Sequence, residues 1–176
     1  SAEYGQALSS ALILNTKEQQ TQTRTDLSLM AVGTELSHTH AWDNSSLAVQ
    51  GAYYDMAPMF TLIDQNIDWD RAPQSFEGSL AARKSFQQVG IVKTYAQYSK
   101  SNMKLKQHDP FDDNVSTDLA LQNNYFYLNS SVKNAIGNKW AYTMGGAVNF
   151  NKEFYSIDEN DFEKTLNGGH VKGKLE

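Results

Sequence analysis

The sequence predicts an all-β protein whose strands run up and down in antiparallel order, each with one apolar face and one polar face. Polarity alternates with a period of two along most of the chain, which is the side-chain spacing of a strand. The composition also favours strands, with 9 Tyr, 8 Phe and 3 Trp against only 3 Pro. No long segment repeats apolar residues at helical spacing, so helices are not expected to contribute.

The segment 140–150 alternates most clearly. Its apolar face carries aromatic residues at both ends and smaller residues between them. This is typical of a strand that crosses a bilayer, where aromatic rings lie at the two headgroup levels. Trp42 and Trp140, which flank tight turns, would also suit a packed core. The predicted membrane-interface aromatics are Trp42, Trp140, Tyr142 and Phe150.

The segment 76–86 repeats the alternation, with Lys84 as the exception on its apolar face. Glu77 and Arg83 fall on the opposite face, where a charge needs water or a partner. A wide polar lumen supplies both, whereas the core of a β-sandwich does not.

Segments 26–31, 35–42 and 47–54 also alternate, and two longer segments, 90–106 and 119–135, are strand-like but alternate less cleanly. The two longest exceed the five or six residues usual for a soluble strand. They suit a membrane barrel, whose strands need roughly 9–11 residues to cross the hydrocarbon. We therefore predict an antiparallel up-and-down segment of a larger transmembrane β-barrel, with about eight strands.

Short and long connections alternate along the chain. Residues 43–46, 87–90 and 137–139 have the composition of tight turns, whereas 56–74, 107–118 and 153–168 are longer, acidic and aromatic. Short turns at one end and long loops at the other are the plan of outer-membrane barrels. The first strand pair departs from this plan, because residues 32–34 leave room only for a short loop.

Charge and composition exclude several classes of partner and site. The 176 residues carry a formal net charge of -5 and a pI of about 5.3, so nothing favours nucleic acid as a partner. There is no cysteine, which excludes disulfides and thiolate metal sites. Mean hydropathy is -0.57, and no apolar run approaches the roughly 20 residues of a transmembrane helix. A β-barrel is compatible with such low hydropathy, since only every second strand residue faces lipid.

Motifs for catalysis, cofactors and metals are not found. The sequence has no hydrolase, zinc-protease or nucleotide-binding motif, so neither an enzyme nor a cofactor is expected. His38 and His40 share a strand face but lack a third ligand, so we interpret them as polar residues of a lumen wall. The acidic segment 109–113 lacks EF-hand spacing and is interpreted as solvated loop charge. We therefore predict no metal site.

The beginning of the chain points to a family. Residues 4–17 read YGQALSSALILNTK, a Tyr-Gly start followed by small residues and an apolar strand that ends in Asn15, Thr16 and Lys17. This segment resembles the end of the plug domain of TonB-dependent outer-membrane receptors, with Ser10 and Ala11 where that family commonly has paired glycines. Segments 29–34 and 38–43 resemble the first strand junction of the receptors of Bacteroidetes-type bacteria.

This resemblance implies the order plug, linker and barrel. Residues 1–17 would be the last strand of the plug, 18–25 a linker and 26–176 the N-terminal part of a barrel with about 22 strands. The protein would lie in the bacterial outer membrane, in contact with its lipid and, through a plug region that this chain lacks, with TonB. It would import an iron chelate, vitamin, glycan or peptide. We expect the outer-loop aromatics Trp69, Phe111 and Phe162 to contact that ligand.

Two alternatives stay open. Eight strands can close into a complete small barrel, which would act as a non-transporting outer-membrane binder or adhesin. A soluble β-sandwich that binds carbohydrate is also possible, but it predicts inner faces free of charge, and Glu77 and Arg83 argue against that.

Overall fold

A computed structural model describes residues 22–63, 67–87, 90–108, 116–137 and 140–175. The predicted end of the plug, residues 1–17, lies outside the described residues, as does the first half of the predicted linker, residues 18–21. The described residues form one short helix, α1 (Ala57–Phe60), and eight strands: β1 (Arg24–Met30), β2 (Gly33–Trp42), β3 (Ser45–Asp55), β4 (Asp68–Phe86), β5 (Gly90–His108), β6 (Ser116–Ile136), β7 (Trp140–Ile157) and β8 (Asn160–Leu175).

The eight strands form a single sheet in the order of the sequence, and every neighbouring pair is antiparallel. This confirms the predicted all-β, up-and-down fold and the number of strands. The sheet is not closed: within the described part of the chain, β1 pairs only with β2 and β8 only with β7. An open sheet is consistent with a segment of a barrel. It does not agree with a complete eight-stranded barrel, nor with the two packed sheets of a sandwich.

The later strands are long. β4 and β5 have 19 residues each, β6 has 21, β7 has 18 and β8 has 16. At about 3.4 Å per residue, each exceeds the distance needed to cross a hydrocarbon layer. The strands therefore extend beyond any such layer.

Two of the predicted long loops are shorter than expected. β4 begins at Asp68 and takes up the second half of the predicted loop 56–74, with register shifts between Trp69 and Gln74 that accommodate Pro73. The predicted loop 153–168 is wrong, because β7 and β8 are joined by the two-residue turn 158–159. Its acidic residues were interpreted as loop, yet a strand with water on one face tolerates charge. β5 and β6 take up the two ends of the predicted loop 107–118, and its residues 109–115 lie outside the described residues.

The helix α1 follows β3 and folds the first loop back on β4. Asp55 Oδ1 accepts a hydrogen bond of 2.9 Å from the Ala57 N–H, and the Met56 N–H donates to the Pro73 carbonyl at 3.0 Å. Pro58, which lies in the first helical turn, has a fixed φ that suits this position. Among the described residues, none of the helical structure is long and apolar enough to cross a membrane.

The sheet has almost no core of its own. Ala52 and Ala147, each 5% exposed, are the buried hydrophobic residues of the described chain, and no large side chain there is fully buried. A soluble domain of this length normally buries many large apolar side chains. An apolar face left open over eight strands needs a covering medium or a partner.

Candidate functional site

The register of the strands divides the sheet into an apolar face and a polar face, because directly paired residues point to the same side. The centre of the apolar face is a row of small and aliphatic side chains, each opposite the next across β3 to β8: Val49, Leu80, Ala96, Leu128, Val148 and Gly169. The alternation within single strands thus continues across the sheet as one apolar band.

Aromatic rings border this band on both sides. The border towards the long loops, the loop-end belt, consists of Tyr53, Phe76, Tyr98, Phe126 and Phe150, which occupy two adjacent rows of the register. Ring centroids lie 6.5 Å apart for Phe76 and Tyr98 and 6.2 Å apart for Phe126 and Phe150. The border towards the short turns, the turn-end belt, consists of Trp42, Phe86, Trp140 and Tyr142.

The distance between the belts fits a bilayer. Phe76 and Phe86 lie ten residues apart on β4, which corresponds to about 34 Å along the strand. A strand tilted by about 35–45° would then span a layer about 25 Å thick, the height of the apolar band on outer-membrane barrels.

The four predicted interface aromatics all lie in these belts. Trp42 and Trp140 are 50% and 55% exposed, so neither is a core residue. Phe150 borders the opposite side of the band and is also half exposed. The five belt residues that sequence analysis did not single out are Tyr53, Phe76, Phe86, Tyr98 and Phe126. The level at which each of them joins its belt depends on the pairing register, which alternation within one strand does not reveal.

Polar side chains resume on the apolar face at the level of the belts. The register row that holds Tyr53 and Phe76 of the loop-end belt continues through Lys100, Asn124 and Lys152. At the turn end, Lys84 lies in the register row of Trp42, with its Nζ 5.1 Å from the centre of the Phe86 ring. A lysine in this position can bury its alkyl stem while its ammonium stays at the polar boundary.

The histidines of β2 lie on the apolar face, not on the polar face. Their interpretation as residues of a lumen wall is wrong, because β2 pairs His38 with Val49 and His40 with Leu47. His38 Nδ1 is 2.8 Å from the Thr25 hydroxyl, and the ring of His40 contacts Trp42 edge-on at 4.3 Å. In the described part of the chain, no three His, Asp or Glu residues come together as a metal site.

The polar face carries amides and carboxylates joined by hydrogen bonds. Asn123 donates to Asn151 at 3.1 Å, and Asn151 donates to Glu153 Oε1 at 2.9 Å. Glu77 and Arg83 lie on this face as predicted, opposite Ala52 and Ser46 of β3. Charges in such a position suit a wall that faces water.

Near the long loops the polar face becomes apolar. One row reads Met103, Leu121, Tyr155 and Phe162 across β5 to β8, and the next reads Trp69, Leu105, Leu119 and Ile157 across β4 to β7. A groove of about 490 Å³ lies there, lined by Met103, Leu121 and Tyr155 together with Asn123 and Glu153. We call this groove the mouth groove. Apolar walls with a few polar groups are typical of ligand sites.

Two of the three predicted ligand contacts lie at this end of the polar face. Trp69 stacks on Phe60 of α1 at 5.2 Å, and Phe162 stacks on Tyr155 at 6.0 Å. Both are strand residues rather than loop residues, and the four strand spacings between them amount to about 19 Å. They are therefore not brought into contact. Phe111 lies outside the described residues.

The groove also contains residues that sequence analysis missed. Met103, Leu121 and Tyr155 fall in segments where apolar residues occupy both faces, so alternation gave no reason to select them. The indole N–H of Trp69 is buried without an acceptor among the described residues. A buried donor without a partner is unusual and would be satisfied by water or a bound polar group.

An ion pair lies beside the mouth groove, on the other face of the strands. Lys104 Nζ is 2.8 Å from Asp70 Oδ2 and 3.7 Å from Asp118 Oδ2. The hydrogen bond from Lys104, reinforced by its charge, lowers the pKa of Asp70, and the same contact raises the pKa of Lys104. Both groups lie outside the belts and keep their charges over a wide pH range.

Comparison of the chain with protein-family models, with curated proteins and with solved structures finds no match.

Proposed function

We propose that this chain forms part of the wall of a bacterial outer-membrane β-barrel, with its apolar face against lipid and its polar face towards the lumen. The observation that carries this proposal is the uncovered apolar band between two aromatic belts on a sheet with almost no core. A lipid layer about 25 Å thick would cover the band and place the belts at its two surfaces.

Within this proposal, the barrel belongs to a TonB-dependent transporter that takes up an iron chelate, vitamin, glycan or peptide. Support comes from the plug-like residues 4–17 and from the open edges of the sheet, which leave room for more strands on either side. The outer loops and the mouth groove would capture the ligand. Rearrangement of a plug, driven by TonB, would then release it inward.

The chemistry of the mouth groove suits a ligand with apolar and polar parts. Tyr155 and Phe162 offer a stacked aromatic surface, and Asn123 and Glu153 supply hydrogen-bonding groups beside it. The groove lies at the end of the sheet where the barrel would open to the outside. Its position supports a role in first contact with the ligand rather than in passage through the lumen.

The membrane part of the proposal is tested by circular dichroism and size-exclusion chromatography of this chain with and without detergent. We expect a β-rich, monodisperse species only in detergent, because water cannot cover the apolar band favourably. A stable β-rich monomer in plain buffer would contradict the proposal and favour a soluble binding module.

The transport part needs the whole receptor in cells. Replacing Tyr155 and Phe162 together by Ala should reduce TonB-dependent growth on the imported nutrient, while Tyr127→Ala, on the same face but outside the groove, should not. Equal growth of all three strains would exclude the mouth groove from ligand capture.

A further inference from the structure

The apolar band is interrupted at the first edge of the sheet, where β1 and β2 carry polar side chains on the same face. Thr25 and His38 continue the row of Val49 to that edge, and His40 follows one row nearer the short turns. All three polar side chains are exposed. We call Thr25, His38 and His40 the edge patch.

The edge patch lies well inside the band rather than at its border. Trp42 belongs to the turn-end belt, and His38 lies four residues before it on β2. Four residues correspond to about 14 Å along a strand and, at a tilt of about 35–45°, to about 10 Å of depth. In a layer about 25 Å thick, His38 would therefore lie close to the middle.

A second polar pair of the same face satisfies its own hydrogen bonds. The hydroxyl oxygens of Thr94 and Ser130 lie 3.0 Å apart, and Ser130 is also 3.4 Å from the Lys93 carbonyl, to which it can donate. Hydroxyl groups with such partners lose little when water is removed. An imidazole differs, because it has two polar nitrogens that point in different directions and one partner cannot satisfy both.

His38 and Thr25 retain hydrogen-bonding capacity after they have bonded to each other. The Nδ1 atom of His38 lies 2.8 Å from the Thr25 hydroxyl, and no described residue bonds to Nε2. If Nδ1 accepts, the Nε2–H is a donor and the hydroxyl oxygen can accept. If Nδ1 donates, Nε2 is an acceptor and the hydroxyl hydrogen can be donated. In either tautomer the pair offers one donor and one acceptor beyond the sheet.

The charged residues of β1 and β2, strands that are described in full, lie on the opposite face from the edge patch. Arg24 and Asp26 form an ion pair of 2.5 Å there, and Glu35 accepts a hydrogen bond of 2.9 Å from Gln50. The edge patch therefore suits a partner that offers hydrogen bonds rather than a charge.

We propose that the edge patch is where a second copy of this chain packs side by side with the first in the membrane. This inference rests on the proposed contact between the apolar face and lipid, because an imidazole near the middle of a hydrocarbon layer needs protein to cover it. Hydrogen bonds between polar side chains of neighbouring membrane segments bring such segments together.

A second copy matches the edge patch in depth and in chemistry. Two copies in one bilayer hold their patches at the same depth, since a two-fold axis along the membrane normal leaves depth unchanged. The same axis brings His38 of one copy beside Thr25 of the other, so the donor of each pair meets the acceptor of the other pair. The contact is therefore self-complementary, as a two-fold interface requires.

Apolar side chains next to the edge patch would close the contact. Leu27 and Leu36 are directly paired one row nearer the long loops and are 64% and 54% exposed. On the other side of His38, the ring of His40 is held edge-on against Trp42 at 4.3 Å. An unrelated membrane protein would have to match this sequence of apolar and polar groups at the same depth, whereas a second copy matches it by symmetry.

The test is sedimentation equilibrium of the chain in density-matched detergent micelles. We expect a dimer, with a dissociation constant about tenfold or more higher in the double variant Thr25→Val/His38→Leu, which removes the hydrogen bonds between copies. His38→Gln keeps a donor and an acceptor and should dimerise almost as well as the unmodified chain. Thr94→Val/Ser130→Ala is the matched control, because it removes the other polar pair of the same face, and it should leave the dimer unchanged.

The double variant should fold, because it extends the apolar band to the edge of the sheet, and circular dichroism in the same detergent checks this. A folded but monomeric unmodified chain would overturn the dimer and leave the proposed contact with lipid in place. An equally stable dimer in the double variant would locate the contact at the open edges of β1 and β8, and an equal loss in the control would indicate nonspecific association. Either result would also overturn the proposal. A chain that folds in plain buffer would contradict the contact with lipid and the dimer together.

Discussion

Phe126 and Phe150 lie directly opposite each other on β6 and β7, with ring centroids 6.2 Å apart and planes tilted by 32°. The same register row continues to Tyr98 on β5, so three aromatic rings on three strands border the apolar band at one level. The pairing of strands, rather than the composition of any one strand, produces this border. It is the feature that most directly supports the proposed contact with a bilayer.

The two rings should stabilise each other when the chain is folded in lipid vesicles. A double-mutant cycle with Phe126→Ala, Phe150→Ala and both together should give a coupling free energy of about 0.5–1 kcal/mol, as for other cross-strand aromatic pairs. Unfolding in urea, followed by circular dichroism, measures it. Additive effects of the two substitutions would mean that the rings do not interact in the folded protein.

The ion pair beside the mouth groove should make stability depend on pH at both extremes. The folded pKa of Asp70 is lowered from 3.8. The stabilisation of the folded chain by its ionised carboxylate is therefore complete above 3.8 and is lost as pH falls through the lowered pKa. The folded pKa of Lys104 is raised from 10.5. The stabilisation of the folded chain by its charged ammonium group is therefore complete below 10.5 and is lost as pH rises through the raised pKa. The effect should be small and should decrease with salt, because both side chains are exposed.

Asp70→Asn should therefore lower the free energy of unfolding between the lowered pKa of Asp70 and the raised pKa of Lys104. It should have no effect in strong acid, where the carboxyl group of Asp70 is protonated. Asp118→Asn is a matched comparison, since its carboxylate lies farther from Lys104, and it should have a weaker effect. Identical pH profiles of Asp70→Asn and the unmodified chain would show that the pair contributes nothing.

The tight turn between β7 and β8 should depend on the residue at position 158. Asp158 has a φ of 54°, and its Oδ1 accepts a hydrogen bond of 2.8 Å from the Asp118 N–H. Asp158→Ala should cost about 1–2 kcal/mol, because alanine tolerates positive φ poorly and offers no acceptor. Asp158→Asn keeps both properties and should be close to neutral. If Ala and Asn were equally tolerated in urea unfolding, this account of the turn would be wrong.

The stack of Phe60 on Trp69 can be followed by fluorescence. In a chain with Trp42→Phe and Trp140→Phe, Trp69 is the remaining tryptophan. Phe60→Ala should shift its emission to longer wavelength, because the indole loses an aromatic neighbour 5.2 Å away and becomes more hydrated. Phe86→Ala, on the other face and at the other end, should leave the emission unchanged. An unshifted spectrum for Phe60→Ala would contradict the stacking of α1 on Trp69.

Much of the fold could be predicted because alternation is a local property. The apolar face of β7, from Trp140 to Phe150, and that of β4, from Phe76 to Phe86, both followed from a period of two. The turns after Trp42, Phe86 and Ile136 were also predicted, since they carry Asp, Asn or Gly.

The remaining features depended on information that single strands do not contain. Acidic residues near Asp158 resembled a loop, although one positive-φ residue is enough to join two long strands there. His38 and His40 were placed on the wrong face, because only the pairing with Val49 and Leu47 settles their orientation. The mouth groove combines residues of several strands, so its position depends on the register between them.

The most direct test of the proposed contact between the apolar band and lipid is an arginine substitution series measured as the free energy of unfolding from lipid vesicles. Val148→Arg places a charge in the middle of the band, and Asn149→Arg places it on the polar face one residue away. Asn124→Arg places it at the level of the loop-end belt, in the register row of Phe76. We expect a loss of about 2–4 kcal/mol for Val148→Arg and about 0–1 kcal/mol for Asn124→Arg, with Asn149→Arg close to the latter. A cost for Val148→Arg no larger than for the other two would contradict contact between this face and lipid.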